Sequence, residues 1–121
     1  MEKQAEMPSQ VSGGSKLKEI KEQVAGLTGV GELFKILSDD TRNKLLYALH
    51  HKKELCVRDM AELTNLSLPA VSHHLRILRN QRLVNARRVG KEVYYSLRDR
   101  QIVALIAMAA VRARALGLNV F

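Results

Sequence analysis

The sequence predicts a mainly α-helical domain with one small β-hairpin towards its C-terminal end, and three observations carry that prediction. Apolar residues recur at three- and four-residue steps through most of the chain. One stretch, 83–97, replaces that period with β-branched and aromatic residues around a glycine. Positive charge gathers beside and within it: Ser72 to Gln101 holds eight basic residues and two acidic ones, a net +6 out of +8 for all 121 residues.

Residues 1–15 mix Gln, Ser, Gly, Pro and charges without periodicity, which predicts a disordered N-terminal arm and leaves 16–121 as the folded domain. From Lys16, the residues Leu17, Ile20 and Val24 share one helical face. Gly26, Gly29 and Gly31 break that pattern, and a second short helix carries Leu33, Phe34 and Leu37. These glycines make no nucleotide loop, because no strand precedes them and no Gly-Lys-Ser/Thr follows.

Ser38, Asp39 and Asp40 offer N-cap oxygens and negative charge to the unpaired amides of the next helix. Its core face is Leu45, Leu46 and Leu49, and it ends near His50 to Lys53, where cationic residues suit the dipole. Another helix runs from about Val57 to Thr64, with Met60, Ala61 and Leu63 turned inward and Cys56 at the cap position. After a turn at Asn65 and Leu66, Ser67 caps a helix whose first turn contains Pro69, where a missing amide costs little.

That helix, Leu68 to about Asn80, has Leu68, Val71, Leu75 and Leu78 as its buried stripe. Pro69, Ser72, His73, Arg76 and Asn80 then face outward. Short side chains near the N-terminus let such a helix approach base edges in a major groove, and Arg76 can reach guanine or phosphate. Leu83–Arg88 and Glu92–Leu97 read as strands joined through Gly90, whose freedom at positive φ suits a tight turn. The hairpin tip therefore presents Arg87, Arg88 and Lys91 to a sugar-phosphate backbone or a minor groove.

In order, these elements make a winged helix-turn-helix. The helix after Asp99 is apolar almost all round, from Ile102 to Val111, and a domain this small covers only one side of it. A second subunit is expected on the other side. Double-stranded DNA is the expected macromolecular ligand, and the DNA-binding residues are Ser67, Pro69, Ser72, His73, Arg76, Arg87, Arg88 and Lys91.

Composition excludes several alternatives. Aromatic residues are only 4% and Trp is absent, so no stacking platform for single strands is expected. The longest apolar run is about half of the ~20 residues a membrane span needs. No signal-peptide pattern is visible and Cys56 is the one cysteine, so a cytoplasmic location without disulfides is expected. No nucleophile-and-base spacing points to an enzyme, and no cofactor is expected.

Several segments resemble the ArsR/SmtB family of bacterial winged-helix repressors. They are Leu37-Ser38-Asp39-Asp40-Thr41-Arg42, the run from Glu54 to Ala61, the run from Ala70 to Arg79, and the wing from Gly90 to Leu97. The resemblance spans about Gly31 to Leu116. It implies a homodimer joined through the first and last helices, which binds an inverted-repeat operator and represses transcription until an effector releases it. The effector's identity stays open at this level.

The chain departs from both familiar metal-ligand sets of that family. Where thiolate-type sensors carry Cys-Val-Cys, this chain has Cys56-Val57-Arg58. Where zinc-type sensors place ligands on the last helix, the matching positions are Asp99, Gln101, Arg112 and Ala115, of which only the first fits. Soft-metal sites need three or four converging ligands, so no metal site is expected. His73 and His74 point about 100° apart on a helix; His73 suits DNA and His74 suits packing. His50 and His51 suit a helix end. Two alternatives to a released operator-specific repressor remain: a non-specific architectural DNA-binding protein, and a thiol redox sensor using Cys56, whose position at a helix start near Arg58 favours the thiolate.

Overall fold

The computed structural model describes residues 13–118, so residues 1–12 of the expected arm lie outside the described residues. The backbone forms two units that part after Leu33. In the first, α1 (Gly13–Ala25) starts three residues before the position expected from apolar spacing. Gly13, Gly14 and Ser15 are therefore helical rather than part of an arm. Leu17 and Val24 of α1 are exposed, and so is Leu27 after it. Gly29, at φ 99°, ends the turn before α2 (Val30–Ile36), within which the boundary between the units falls.

In the second unit, α3 (Asp40–His51) begins where Asp39 accepts a hydrogen bond from the Arg42 N–H at 3.1 Å. That bond satisfies one of the four amides a helix start leaves unpaired. A two-residue strand, β1 (Leu55–Cys56), leads directly into α4 (Val57–Thr64). Asn65 adopts the left-handed conformation at φ 60°, and the Leu66 N–H reaches back to the Ala61 carbonyl at 3.2 Å. This closes α4 in a Schellman-type turn, which aims the chain into α5 (Leu68–Asn80).

Strands β2 (Val84–Val89) and β3 (Glu92–Leu97) form the wing, and β1 pairs with β3 to give an antiparallel sheet of order β1-β3-β2. Val89 lies opposite Glu92, so only Gly90 and Lys91 form the turn. Gly90 has φ 63°, the positive value that a two-residue hairpin turn requires at its first central position. Helix α6 (Gln101–Ala115) follows, and Gly117 at φ 80° closes it.

One core joins these parts. Leu45, Leu46 and Leu49 from α3 meet Met60 from α4, Val71, Leu75 and Leu78 from α5, and Ile102, Val103 and Ile106 from α6. Every described buried residue is hydrophobic, so apolar burial rather than ionic pairing holds the unit together. Truncation of Leu75 to alanine is expected to cost about 2–5 kcal/mol, readable as a lowered denaturation midpoint.

Two expectations of burial are corrected. Leu68 is 49% exposed and Leu63 62% exposed. Both lie in or beside the turn between α4 and α5, where each helix has only its inner face on the core. The hairpin also runs one residue later than expected on its first strand, because Leu83 is taken up in closing α5. Its N–H donates to the Leu78 carbonyl at 3.0 Å, with Arg82 held at φ 63°.

Candidate nucleic-acid interface

Helix α5 presents its sequence-predicted residues on the face away from Val71, Leu75 and Leu78. Pro69, His73 and Arg76 are exposed and Ser72 is half-buried. Ser67 is exposed but already engaged, since its Oγ accepts from the Ala70 N–H at 3.2 Å. It therefore serves first as the N-cap that starts the helix. His74, one position on, turns towards the body of the domain, where its Nδ1 accepts a long hydrogen bond of 3.4 Å from Arg42 Nε.

The wing separates its three cations. Side chains alternate between the faces of a strand, so Arg87 and Arg88 point to opposite sides. Arg87 lies across β3, its guanidinium 6.0 Å from the Tyr94 ring centre, and donates to both Glu54 oxygens at 2.9 and 2.7 Å. That hydrogen bond from Arg87 holds the Glu54 carboxyl below the usual glutamate range, and the same pair raises Arg87 further. Glu92, on the same face as Arg87, pairs with Arg58 of α4. Two ion pairs of opposite polarity thus tie the wing to the segment 54–58.

Arg87 is exposed, as expected, but it is engaged within the wing rather than free at the tip. Its guanidinium fork is filled by a carboxylate, the planar partner it matches best. Arg88 and Lys91 are exposed and have no carboxylate partner among the described residues; Arg88 Nη1 touches only the Gly90 carbonyl, at 3.5 Å. All eight basic residues from Ser72 to Gln101 are exposed, so the charge concentration seen in the sequence is a surface property of the folded chain.

The residues do not fit the metal sites that the family resemblance brings to mind. Cys56 is 5% exposed, its N–H is held by Asp59 Oδ2 at 3.4 Å, and Arg58 beside it is committed to Glu92. Asp99 Oδ1 accepts from the Gln101 N–H at 3.0 Å, one residue ahead of Arg100, the N-cap of α6. Among the described residues, no three His, Cys, Asp or Glu side chains come together as a metal-binding group. His50 and His51 occupy the last turn of α3 beside Tyr47, as their position at a helix end predicts. Burial also sets Cys56 apart from reactive thiols, which are partly exposed.

A capped helix with a small, polar and cationic outer face, beside a hairpin with a cationic tip, defines a winged helix-turn-helix DNA-binding protein. The family model described as "Bacterial regulatory protein, arsR family" matches residues 39–86. A cadmium resistance transcriptional regulatory protein, a CadC homolog of Staphylococcus aureus, is 45% identical over 85 residues, which is 70% of either chain. An SmtB-homolog transcriptional repressor of Synechocystis sp. is 51% identical over 76 residues, 63% of this chain and 57% of that one. A homodimeric winged helix-turn-helix DNA-binding domain from Mycobacterium bovis, solved in solution, aligns with a TM-score of 0.59 at 27% identity. It covers 87% of this chain and 91% of that domain. The chain belongs to the ArsR family of bacterial transcriptional regulators. No described helix is long and apolar enough to cross a membrane.

Arg42 and Glu54 are the residues that sequence reading passed over. The signal for Arg42 was present: a cation in the first turn of a helix, three residues after the capping aspartate. The pairing of Glu54 with Arg87 left no local signal, because 33 residues separate the partners.

Proposed function

We propose that the protein is a homodimeric repressor that binds an inverted-repeat operator and is released by an effector. Helix α5 enters the major groove with Ser72, His73 and Arg76 at the base edges, while Ser67 and Pro69 bring its N-terminus close to the backbone. Arg88 and Lys91 hold the sugar-phosphate backbone or the adjacent minor groove. Arg87 acts mainly by fastening the wing through Glu54.

The observation that carries this reading is the outer face of α5: small at its capped end, cationic further along, and backed by a buried apolar stripe. The second copy is supported by α6, whose Met108 and Val111 are 67% and 56% exposed although Ile102, Val103 and Ile106 are buried. A separate groove of about 510 Å³ between α6 and α3 is lined by the apolar Tyr47, Leu105, Ile106 and Ala109 together with Asp40, Asn43 and Lys44. The Mycobacterium bovis domain is itself homodimeric, which supports a second copy without saying which helices join the two.

Two-fold symmetry sets the half-sites about 10 base pairs apart or a multiple of that. Release follows if the effector binds the DNA-incompetent geometry more tightly, with a coupling of ~1–3 kcal/mol. The test is selection of duplexes from a random pool, followed by titration at fixed salt. An enriched inverted repeat bound with two chains per site is expected. Equal affinity for selected and random duplexes would mean an architectural protein instead. A metal and oxidant screen of duplex release, run on wild type and Cys56→Ser, identifies the effector class; loss of the oxidant response in the variant would restore the thiol-sensor reading.

A further inference from the structure

Adjacent residues of α3 hold adjacent carbonyls at the end of α2. Arg42 Nη1 donates to the Ile36 carbonyl at 2.9 Å, and Asn43 Nδ2 donates to the Leu37 carbonyl at 2.9 Å. Carbonyls at a helix end have no partner within the helix, so these side chains complete them. The Arg42 guanidinium then continues to the recognition helix, where Nε donates to His74 Nδ1 at 3.4 Å. Arg42 is half-buried, and its backbone N–H is fixed by Asp39. One planar group therefore joins the α2 end, the α3 start and the middle of α5.

The rest of the hold on α5 is apolar. Val71, Leu75 and Leu78 bury completely, but apolar contact has no direction and tolerates small turns of a helix about its axis. A hydrogen bond to the flank of the helix does not. His74 and the exposed His73 are neighbours, with ring centres 5.4 Å apart, so a turn that displaces one displaces the other. Hydrogen bonding to base edges depends on that rotation, whereas attraction to phosphates hardly does.

We propose that Arg42 is a positioning residue for base reading: through His74 it fixes the rotation of α5, without itself touching DNA. The inference rests on the proposed function, in which α5 reads bases. Lysine cannot replace it, because a single ammonium lacks the planar fork that serves two acceptors in different directions.

The test compares wild type, Arg42→Gln, Arg42→Lys, His74→Ala and the Arg42→Gln/His74→Ala double variant. Each is titrated with the duplex that wild type selects and with a random-sequence duplex, over a range of salt, after thermal denaturation has shown that it folds. Arg42→Gln and Arg42→Lys are each expected to lower the preference for the selected duplex about tenfold, the scale of one hydrogen bond from a charged group. The salt dependence stays unchanged, because no phosphate contact is lost. The double variant loses no more than the larger single loss, because both changes break one link.

Three results would overturn the proposal: wild-type preference in Arg42→Lys, a salt dependence flattened by Arg42→Gln, or a double variant whose loss is the product of the single losses. If Arg42→Gln does not fold, Arg42→Lys and His74→Ala decide the matter. Failure of the underlying functional reading is separately visible, since wild type would then select no sequence.

Discussion

Helices α5 and α6 each bury one stripe of three residues in the same core, yet they leave opposite surfaces behind. The outer face of α5 carries Pro69, His73 and Arg76, which water solvates and a polyanion attracts. The outer face of α6 carries Met108 and Val111, which water does not favour. Since both helices bury a stripe of the same size, burial alone does not tell what each is for. The difference lies in the face the fold leaves uncovered: one suits DNA, the other a second copy of the chain.

The sharpest way to break that comparison is to give α6 the kind of surface α5 has. Met108→Glu places a carboxylate where a partner would bury it without a counter-charge, which is strongly unfavourable. The variant is expected to sediment as a monomer and to bind its selected duplex about a hundredfold more weakly, because two half-sites are no longer engaged together. A dimer of unchanged stability would remove α6 from the interface.

Arg76→Ala tests the other face. The expected loss is about 1–3 kcal/mol in duplex affinity by fluorescence anisotropy, confined to one base-pair position if Arg76 reads a base. Unchanged binding would mean that this side of α5 faces away from DNA.

Within the wing, Arg88→Ala and Lys91→Ala are each expected to lower the slope of log affinity against log salt by about 1. Arg87→Ala should leave the slope where it is, since Glu54 already occupies its guanidinium. Equal slopes lost at all three positions would show that DNA displaces Glu54.

The smallest effect is the acid response of that pair. Because Arg87 lowers the Glu54 carboxyl in the folded chain, the pair's stabilisation is complete above the ordinary glutamate range and disappears as pH falls through the lowered value. Thermal midpoints of wild type and Glu54→Gln should differ slightly near neutral pH and converge in acid. An exposed pair contributes little, so parallel curves across the acid range would assign it no role in stability.

Much of this was legible because it is local. The cap at Asp39, the cap at Ser67, the glycine turn at Gly90 and the stripe Val71, Leu75, Leu78 each depend on residues within one or two turns of each other. Leu68 was misplaced because periodicity says which residues share a face, not how far along the helix the covering layer extends. Strand β1 was missed because two residues carry no period; it exists only because Tyr94 and Tyr95 of β3 offer Cys56 and Leu55 a paired edge.

The order of the helices and the wing, the stripe Val71, Leu75 and Leu78, and the concentration of positive charge between Ser72 and Gln101 were determined by the sequence alone, because helical and strand periods and charge density are written residue by residue. Only the tertiary structure decided which cations remain available. Arg87 and Arg88 are neighbours in the chain, but strand alternation sends one to Glu54 and leaves the other open. Arg42 acquires a role only when folding brings the α2 end and His74 within reach of one guanidinium. Pairing across more than thirty residues depends on packing, and no local pattern encodes it.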